Sequence, residues 1–235
     1  MEFKQAVHDY AIAGMGYFYV YIDPEADFGR GDVKFTNVNP FRVYVDPAAR
    51  NRYFNDASAI ILSTILTKDQ VLAVYPQLSE FLSEIDTMND EEDYPSSSRK
   101  NSSQSFTPDV VKDSDRGGFE RYRILERFEK VKVPYYRLFN KQNGEEKVVD
   151  METFEQVASE NAHLIESGLI EAVEIMQTRV KVVATMGQHL LYQQLLNTDI
   201  YPIIPVPNIW TNTPYPKSDV TKVKDSQRLI NKLFS

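Results

Sequence analysis

The sequence predicts an α+β protein, mostly antiparallel sheets with a few packing helices, and three observations carry that reading. Aromatic and β-branched residues gather in short runs bounded by Asn-Pro, Asp-Pro and Asn-Gly signals, the pattern of strands joined by turns. With 14 Tyr, 13 Phe and 12 Pro against only 9 Gly, the chain favours strands and rigid connections. Helical periodicity is confined to a few segments, the last of which meets no Gly, Asn or Pro stop signal and reads as a truncated helix.

At 235 residues the chain suits one large or two small domains, and its 42% hydrophobic and 26% charged residues are those of a globular protein. The absence of cysteine excludes a disulfide framework, a thiolate zinc site and a catalytic thiol. A net charge of -8 argues against a surface that wraps nucleic acid, because that affinity comes from Lys and Arg neutralising phosphates. Transient passage of DNA past an acidic wall stays compatible with it. MEFKQAVHDY has no apolar leader core, and the longest strongly apolar run, Ala57 to Leu66, is too short to span a bilayer. The expectation is a soluble protein without export and without membrane contact.

Along the chain, Phe3, Ala6, Val7, Tyr10 and Ala11 predict an amphipathic helix over residues 2–13, ended by Gly14 and Gly16. Tyr17 to Ile22, Asp32 to Asn37 and Arg42 to Val45 predict three strands of one antiparallel meander, punctuated by Asp23-Pro24, Asn39-Pro40 and Asp46-Pro47. Ser58 to Leu66 is apolar on both faces and predicts a buried central strand. Thr67 with Gln70 forms a capping box for a helix that Pro76 breaks, and Gln77 to Ile85 predicts a second short helix.

Residues 86–118 are acidic and Ser-rich with almost nothing apolar, and read as a mobile insertion. Phe119 to Val133 and Tyr135 to Phe139 predict two strands broken at Pro134, followed by a turn at Asn143-Gly144. Asp150 is the N-cap of a helix over Met151 to Ser167 with Gly168 at its end, and Val173 to Thr185 with His189 to Leu195 form a hairpin around Gly187. Five prolines between Tyr201 and Pro216 exclude a helix or central strand there and predict an extended, exposed-edge crossing. The resulting organisation is 1–85, the insertion 86–118, then 119–198, the crossing 199–217 and the terminal helix 218–235.

Sites of known chemistry are hard to find. Asp23, Glu25 and Asp27 have calcium-loop spacing, but the sixth position is Phe28 and the twelfth Lys34, so the sharp turn and the bidentate ligand are both missing. His8, His163 and His189 fall on a helix, a helix and a strand, away from any nucleophile or zinc motif. Gly14 and Gly16 lack the third glycine of a dinucleotide loop and precede a strand instead of following one. Phe119 to Arg137 interleaves Arg121, Arg123, Arg127, Lys130, Lys132 and Arg137 with aromatics, yet Glu120, Glu126 and Glu129 cancel much of that field. It reads as a half-buried strand pair with snorkelling basic side chains. No catalytic, cofactor or metal residue is assigned.

One resemblance does stand out. Thr178-Arg179-Val180-Lys181-Val182-Val183, the turn at Gly187, Leu190-Leu191, the crossing YPIIPVPN and the terminal VKDSQRLINKLFS together resemble the portal proteins of tailed bacteriophages, particularly the short-tailed type. In that family a hairpin of the wing leads through a Pro-containing segment into a helix opened by a Lys-Asp-Pro-Gln-Arg-x-x-Asn pattern that begins the stem. Lys224, Asp225, Gln227, Arg228 and Asn231 match it in place, and Ser226 stands where the family often has Pro. GMGYFYVYIDP and NPFRVYVDP also resemble the family's wing, so the likeness spans most of the chain outside 86–118.

The resemblance implies a portal-wing-like fold ending in the start of a stem helix. It also implies a non-enzymatic homo-oligomeric ring, typically of twelve subunits, at one capsid vertex. Such a ring would pass double-stranded DNA and dock the terminase, head-tail adaptors and capsid protein, with assembly in the host cytoplasm. Lys224, Asp225, Gln227, Arg228 and Asn231 are then candidate contacts at the subunit or stem junction. Portals of this kind carry further regions before and after this stretch, so the chain reads as a wing fragment or one piece of a longer gene. Two other readings stay open: another virion assembly, adaptor or minor capsid protein, and an enzyme using carboxylates such as Asp46 and Asp56.

Overall fold

The computed structural model describes residues 2–82 and 121–234, so the insertion 86–118 lies outside the described residues. Helix α1, Glu2–Ala13, leads into β1, Met15–Asp23, and a four-residue helical turn at Ala26–Gly29 connects it to β2, Asp32–Val38. Strands β3, Val43–Val45, and β4, Ala59–Thr67, precede helix α2, Lys68–Val74. Strands β5, Arg121–Asn140, and β6, Glu145–Asp150, are followed by helices α3, Met151–Glu160, and α4, Ala162–Glu166. Strands β7, Ile170–Met186, β8, His189–Leu196, and β9, Ile203–Pro207, lead to helix α5, Asp219–Leu233.

Two antiparallel sheets result, of three strands in the order β2-β1-β9 and of six in the order β3-β4-β5-β7-β8 with β6 added on β5. The expected single meander is not formed. Asn39 Oδ1 accepts from the Phe41 amide at 2.9 Å and caps a 3₁₀ turn, Pro40–Arg42, that redirects the chain. Strand β3 therefore pairs with β4 in the larger sheet, and β2 is left as an edge.

The expected break at Pro134 is also absent, since β5 runs unbroken through it for 20 residues. On one side Pro134 sits opposite Met176 of β7. On the other side β4 pairs only as far as Glu129 and β6 begins only at Tyr135, so Pro134 occupies a local edge where no donor is needed. The predicted helix over Met151 to Ser167 divides at Asn161 (φ -118°), whose amide and Nδ2 both donate to the Val157 carbonyl. Its own carbonyl accepts from Leu164, so Asn161 closes α3 and opens α4. A 3₁₀ turn, Pro76–Leu78, begins the expected second short helix, whose part beyond Leu82 lies outside the described residues.

The predicted capping box of Thr67 and Gln70 is made, with the Thr67 amide donating to Gln70 Oε1 at 3.0 Å. Asp150 caps α3 as expected, its Oδ1 accepting from the Thr153 amide at 2.8 Å.

The core lies between the sheets. Met15, Tyr17 and Ile203 of the small sheet meet Val43, Ile60, Leu62, Phe128 and Val182 of the large one, and the β3–β4 loop inserts Phe54. A second cluster beneath α2 gathers Val71, Leu78, Leu82, Tyr122, Ile124 and Met186. Phe54 is fully buried although its φ is +58°, and its ring faces Tyr17 and Trp210 at 6.4 and 6.2 Å. A left-handed bulky residue costs about 1–2 kcal/mol, and burying a Phe side chain returns about 1.5–3 kcal/mol, so here burial wins. Asp27 and Phe28 share that strained region, with φ of 50° and 55°, yet Phe28 is fully exposed at the β1–β2 tip and has no such compensation.

The β3–β4 loop is held by its own carboxylates. Asp46 accepts from the Ser58 hydroxyl and amide at 2.5 and 3.1 Å and from the Ala48 amide at 2.8 Å, and these bonds hold its carboxyl below the usual range. Asp56 accepts from the amides of Arg50 and Asn51 at 2.6 and 3.0 Å.

Two expectations follow. Phe128→Ala, at a fully buried position, should lower unfolding free energy by about 3–5 kcal/mol in urea titration. Because the folded pKa of Asp46 is lowered, its contribution is complete above the ordinary carboxylate value of about 3.9 and fades as pH falls through the folded value. The urea midpoints of wild type and Asp46→Asn should therefore differ near neutral pH and converge in acid.

Candidate functional site at the crossing and terminal helix

Leaving the hairpin β7–β8, the chain crosses to the small sheet and pairs β9 with β1, placing Pro205 opposite Tyr17 and Pro207 opposite Met15. The Asn208 amide donates to the Gly14 carbonyl at 2.9 Å, so even-numbered amides face β1. Pro205 and Pro207 consequently point their missing donors at the free edge, where a strand can do without them. The expectation of an edge segment is met, but that of an exposed one is not: Tyr201, Ile203, Pro205 and Pro207 are buried in alternation. The Tyr201 hydroxyl donates to the Ala57 carbonyl at 2.8 Å, tying the crossing to the β3–β4 loop.

After β9 the chain folds back over the end of α1. The Tyr215 hydroxyl lies 3.3 Å from both the amide and the carbonyl of Val45. Gly14 (φ +84°) permits this approach, since a Cβ there would stand 2.6 Å from the Pro216 carbonyl oxygen and 2.8 Å from the Ser218 nitrogen. Buried Ser218 then starts α5, its Oγ accepting from the Thr221 amide at 3.1 Å. Asp219 in the first turn accepts from Lys222 Nζ at 2.6 Å and from Asn208 Nδ2 at 2.9 Å, and these partners hold its carboxyl below the ordinary value. Asn208 thus clamps the start of the helix to β9 and, through the Tyr10 carbonyl at 3.4 Å, to α1.

Beyond this clamp α5 leaves the body. Its five sequence-predicted residues are all exposed, and the structure pairs four of them along the helix. Gln227 Nε2 donates to Asn231 Oδ1 at 2.9 Å, and Arg228 Nη1 meets Asp225 Oδ1 at 3.4 Å, while Lys224 extends on an exposed flank. Pairs of this kind at i,i+3 and i,i+4 stabilise a helix by only about 0.2–0.5 kcal/mol each. Val220, Val223, Ile230 and Phe234 recur at helical spacing beside Gln227 and are 46–88% exposed. This apolar stripe and its polar neighbours are available to other chains.

Sequence reasoning read Gly14 only as a helix stop and missed Asn208, Tyr215 and Ser218. Ser218 was legible as a capping residue immediately before the helical pattern. The other three act across more than 150 residues of chain, and local spacing carries no trace of them.

The other candidate sites look different in three dimensions. Asp23 is bonded to Lys34, so the calcium-like spacing closes a hairpin. His189 packs against Phe81 at 5.0 Å. The basic residues of β5 are largely matched: Arg127 meets Glu129 at 3.2 Å, Arg137 meets Glu146 at 2.8 Å, and Lys130 lies over the Tyr201 ring at 5.1 Å. Asp46 and Asp56 share one loop, where backbone amides engage both carboxylates, and Asp46 is held in the charged form that a general acid could not use. Among the described residues no group of three or more His, Cys, Asp or Glu could hold a metal ion, and no helix is long and apolar enough to cross a membrane.

Compared with known families, the chain matches the model of the phage P22-like portal protein over residues 1–235. No curated protein matches it.

The glycine contact gives a direct test. Gly14→Ala adds a clash with the crossing to the left-handed penalty, and should destabilise by well over the about 1–2 kcal/mol expected at Gly144, where a Cβ meets open space. Urea titration of the two variants side by side measures the difference, and Ser218→Ala should cost about 1 kcal/mol through the lost cap.

Proposed function

The chain belongs to the phage P22-like portal protein family, and on that premise we propose that it is the wing and the beginning of the stem of a portal subunit. Copies assemble into a closed ring at one capsid vertex, twelve on the family resemblance. The ring passes double-stranded DNA during packaging and ejection, and it docks the terminase, head-tail adaptors and capsid protein. Its place is the virion, reached by assembly in the host cytoplasm. The role is structural, without catalysis.

The observation that carries this reading is the exit of α5. A buried cap and a three-way clamp at Asn208 aim a helix out of the body with its apolar stripe and all five predicted residues exposed. That arrangement suits a helix completed by neighbouring subunits. Lys224, Asp225, Gln227, Arg228 and Asn231 then serve as contacts at the subunit or stem junction, and the intrahelical pairs Gln227–Asn231 and Asp225–Arg228 hold them ready. The net charge of -8 suits a wall along which DNA slides without being held.

Native mass spectrometry and electron microscopy of the full protein test the reading. Closed rings are expected, and simultaneous alanine substitution at Gln227, Arg228 and Asn231 should impair their formation. Monomers alone at every salt concentration would refute the ring, and undisturbed rings in the triple variant would remove those three residues from the interface.

A further inference from the structure

The two faces of the small sheet are covered unequally. One closes the core through Met15, Tyr17 and Ile203. On the other stand the alternate residues, where strand pairing sets Ile22 beside Val33, Val20 beside Phe35 and Phe18 beside Ile204. Helix α1 covers only part of this outer face. A Cβ at Gly16 would stand 2.7 Å from the Ala6 carbonyl oxygen, and Phe3 stacks on Phe18 at 6.4 Å. Beyond Phe18 the face is bare among the described residues: Ile22, Val33, Phe35 and Ile204 are 71, 65, 57 and 42% exposed, and Phe3 at its border is 69% exposed. Five large apolar side chains gathered on adjoining elements mark a surface that meets another chain.

A sheet face half covered by one helix has room for a second beside it, and the exposed stripe of α5, Val220, Val223, Ile230 and Phe234, has the form to fill that place. The 15 residues of α5 span about 22 Å, and the seven of β2 span about 23 Å. The helix of the same copy does not lie there. It starts where Ser218 passes Gly14, at the opposite end of β1 from Ile22, and stripe and face both stay exposed. The charges left over agree with this pairing. Asp23 is bonded to Lys34, and Asp27 lies 4.0 Å from Arg30, so Glu25 and Asp32 at the Ile22–Val33 end of the face have no ion pair among the described residues. On α5, Asp219 holds Lys222 and Asp225 holds Arg228, which leaves Lys224 and Lys232 unpaired. Of these, Lys224 borders the stripe, next to Val223 and one turn beyond Val220.

We propose that the α5 stripe of one copy lies beside α1 on the outer face of the small sheet of the next, with Lys224 against Asp32 and Glu25. The stripe covers Ile22, Val33 and Phe35, and two surfaces that are exposed in a single copy become one apolar layer. Because stripe and face are different surfaces of one chain, the contact is head-to-tail, the type that generates a ring when its rotation closes. This inference rests on the ring reading and identifies one of its subunit contacts.

The chain has no native cysteine, so engineered pairs report cleanly. Val33 and Val223 are both exposed, so a cysteine at either leaves the core intact. In the full protein, Val33→Cys/Val223→Cys treated with a short bismaleimide should yield a ladder of covalent oligomers. Mixing the two single variants should yield covalent dimers, and each single variant alone should yield no such product. Ile22→Asp should raise the concentration at which rings dissociate by about tenfold or more and leave the urea midpoint of the monomer unchanged. Lys224→Glu should weaken assembly likewise, and adding Asp32→Lys should restore it. Product from Val223→Cys alone would seat stripe on stripe, and product from Val33→Cys alone would seat face on face; either overturns the proposed pairing. Intact wild-type rings with no ladder, and with Ile22→Asp assembling as well as wild type, would overturn this contact while leaving the ring in place. A wild-type protein that never assembles would overturn the ring reading and this contact with it.

Discussion

Pairing of β9 with β1 is the constraint on which the position of every later residue depends. It joins residues 15–19 to 203–207 and closes the small sheet that covers the core. Prolines should oppose such pairing, since each removes a donor. They are tolerated because the register turns Pro205 and Pro207 toward the free edge, while Val206 and Asn208 present their amides to β1. The same prolines leave that edge unable to recruit a further strand. Gly14 then lets the returning chain lie against the end of α1, and the direction of α5 follows from that contact.

Polar groups in the body are committed to holding it together. Asp46 and Asp56 bind loop amides, Asp150 and Ser218 cap helices, and charges on β5 meet partners on β6 or on their own strand. Large apolar groups left exposed among the described residues include Phe28 at the β1–β2 tip and the stripe of α5. A rigid body with its unsatisfied surfaces at its extremities is what a subunit of a large assembly requires, because the interfaces must form without remodelling the core.

Elements with strong local periodicity or clear end signals were legible from the chain alone. α1, β1, β4, the Thr67–Gln70 box, the Asp150 cap and the Gly187 hairpin all stand where their residues put them. Elements whose fate depended on neighbours were not. Pro134 read as a break because a lone strand reveals nothing about which side of it will lack a partner. The third strand of the expected meander joined the other sheet because a 3₁₀ turn redirected it, and partner choice is absent from any local pattern. Asn161 divided a helix that its apolar stripe had presented as continuous, since the Asn side chain competes with the backbone for the Val157 carbonyl.

For the candidate site the division is sharper. Composition, proline spacing and the Lys224-Asp225-x-Gln227-Arg228-x-x-Asn231 pattern determined the class of fold, the extended crossing and the family, because these follow from backbone chemistry and residue order. Only the tertiary structure decided that the crossing is half-buried and that Asn208 and Gly14 set the helix's exit. The physical reason is distance along the chain: those contacts join residues up to about 200 positions apart, and no local periodicity records which distant backbone will come close enough to exclude a Cβ.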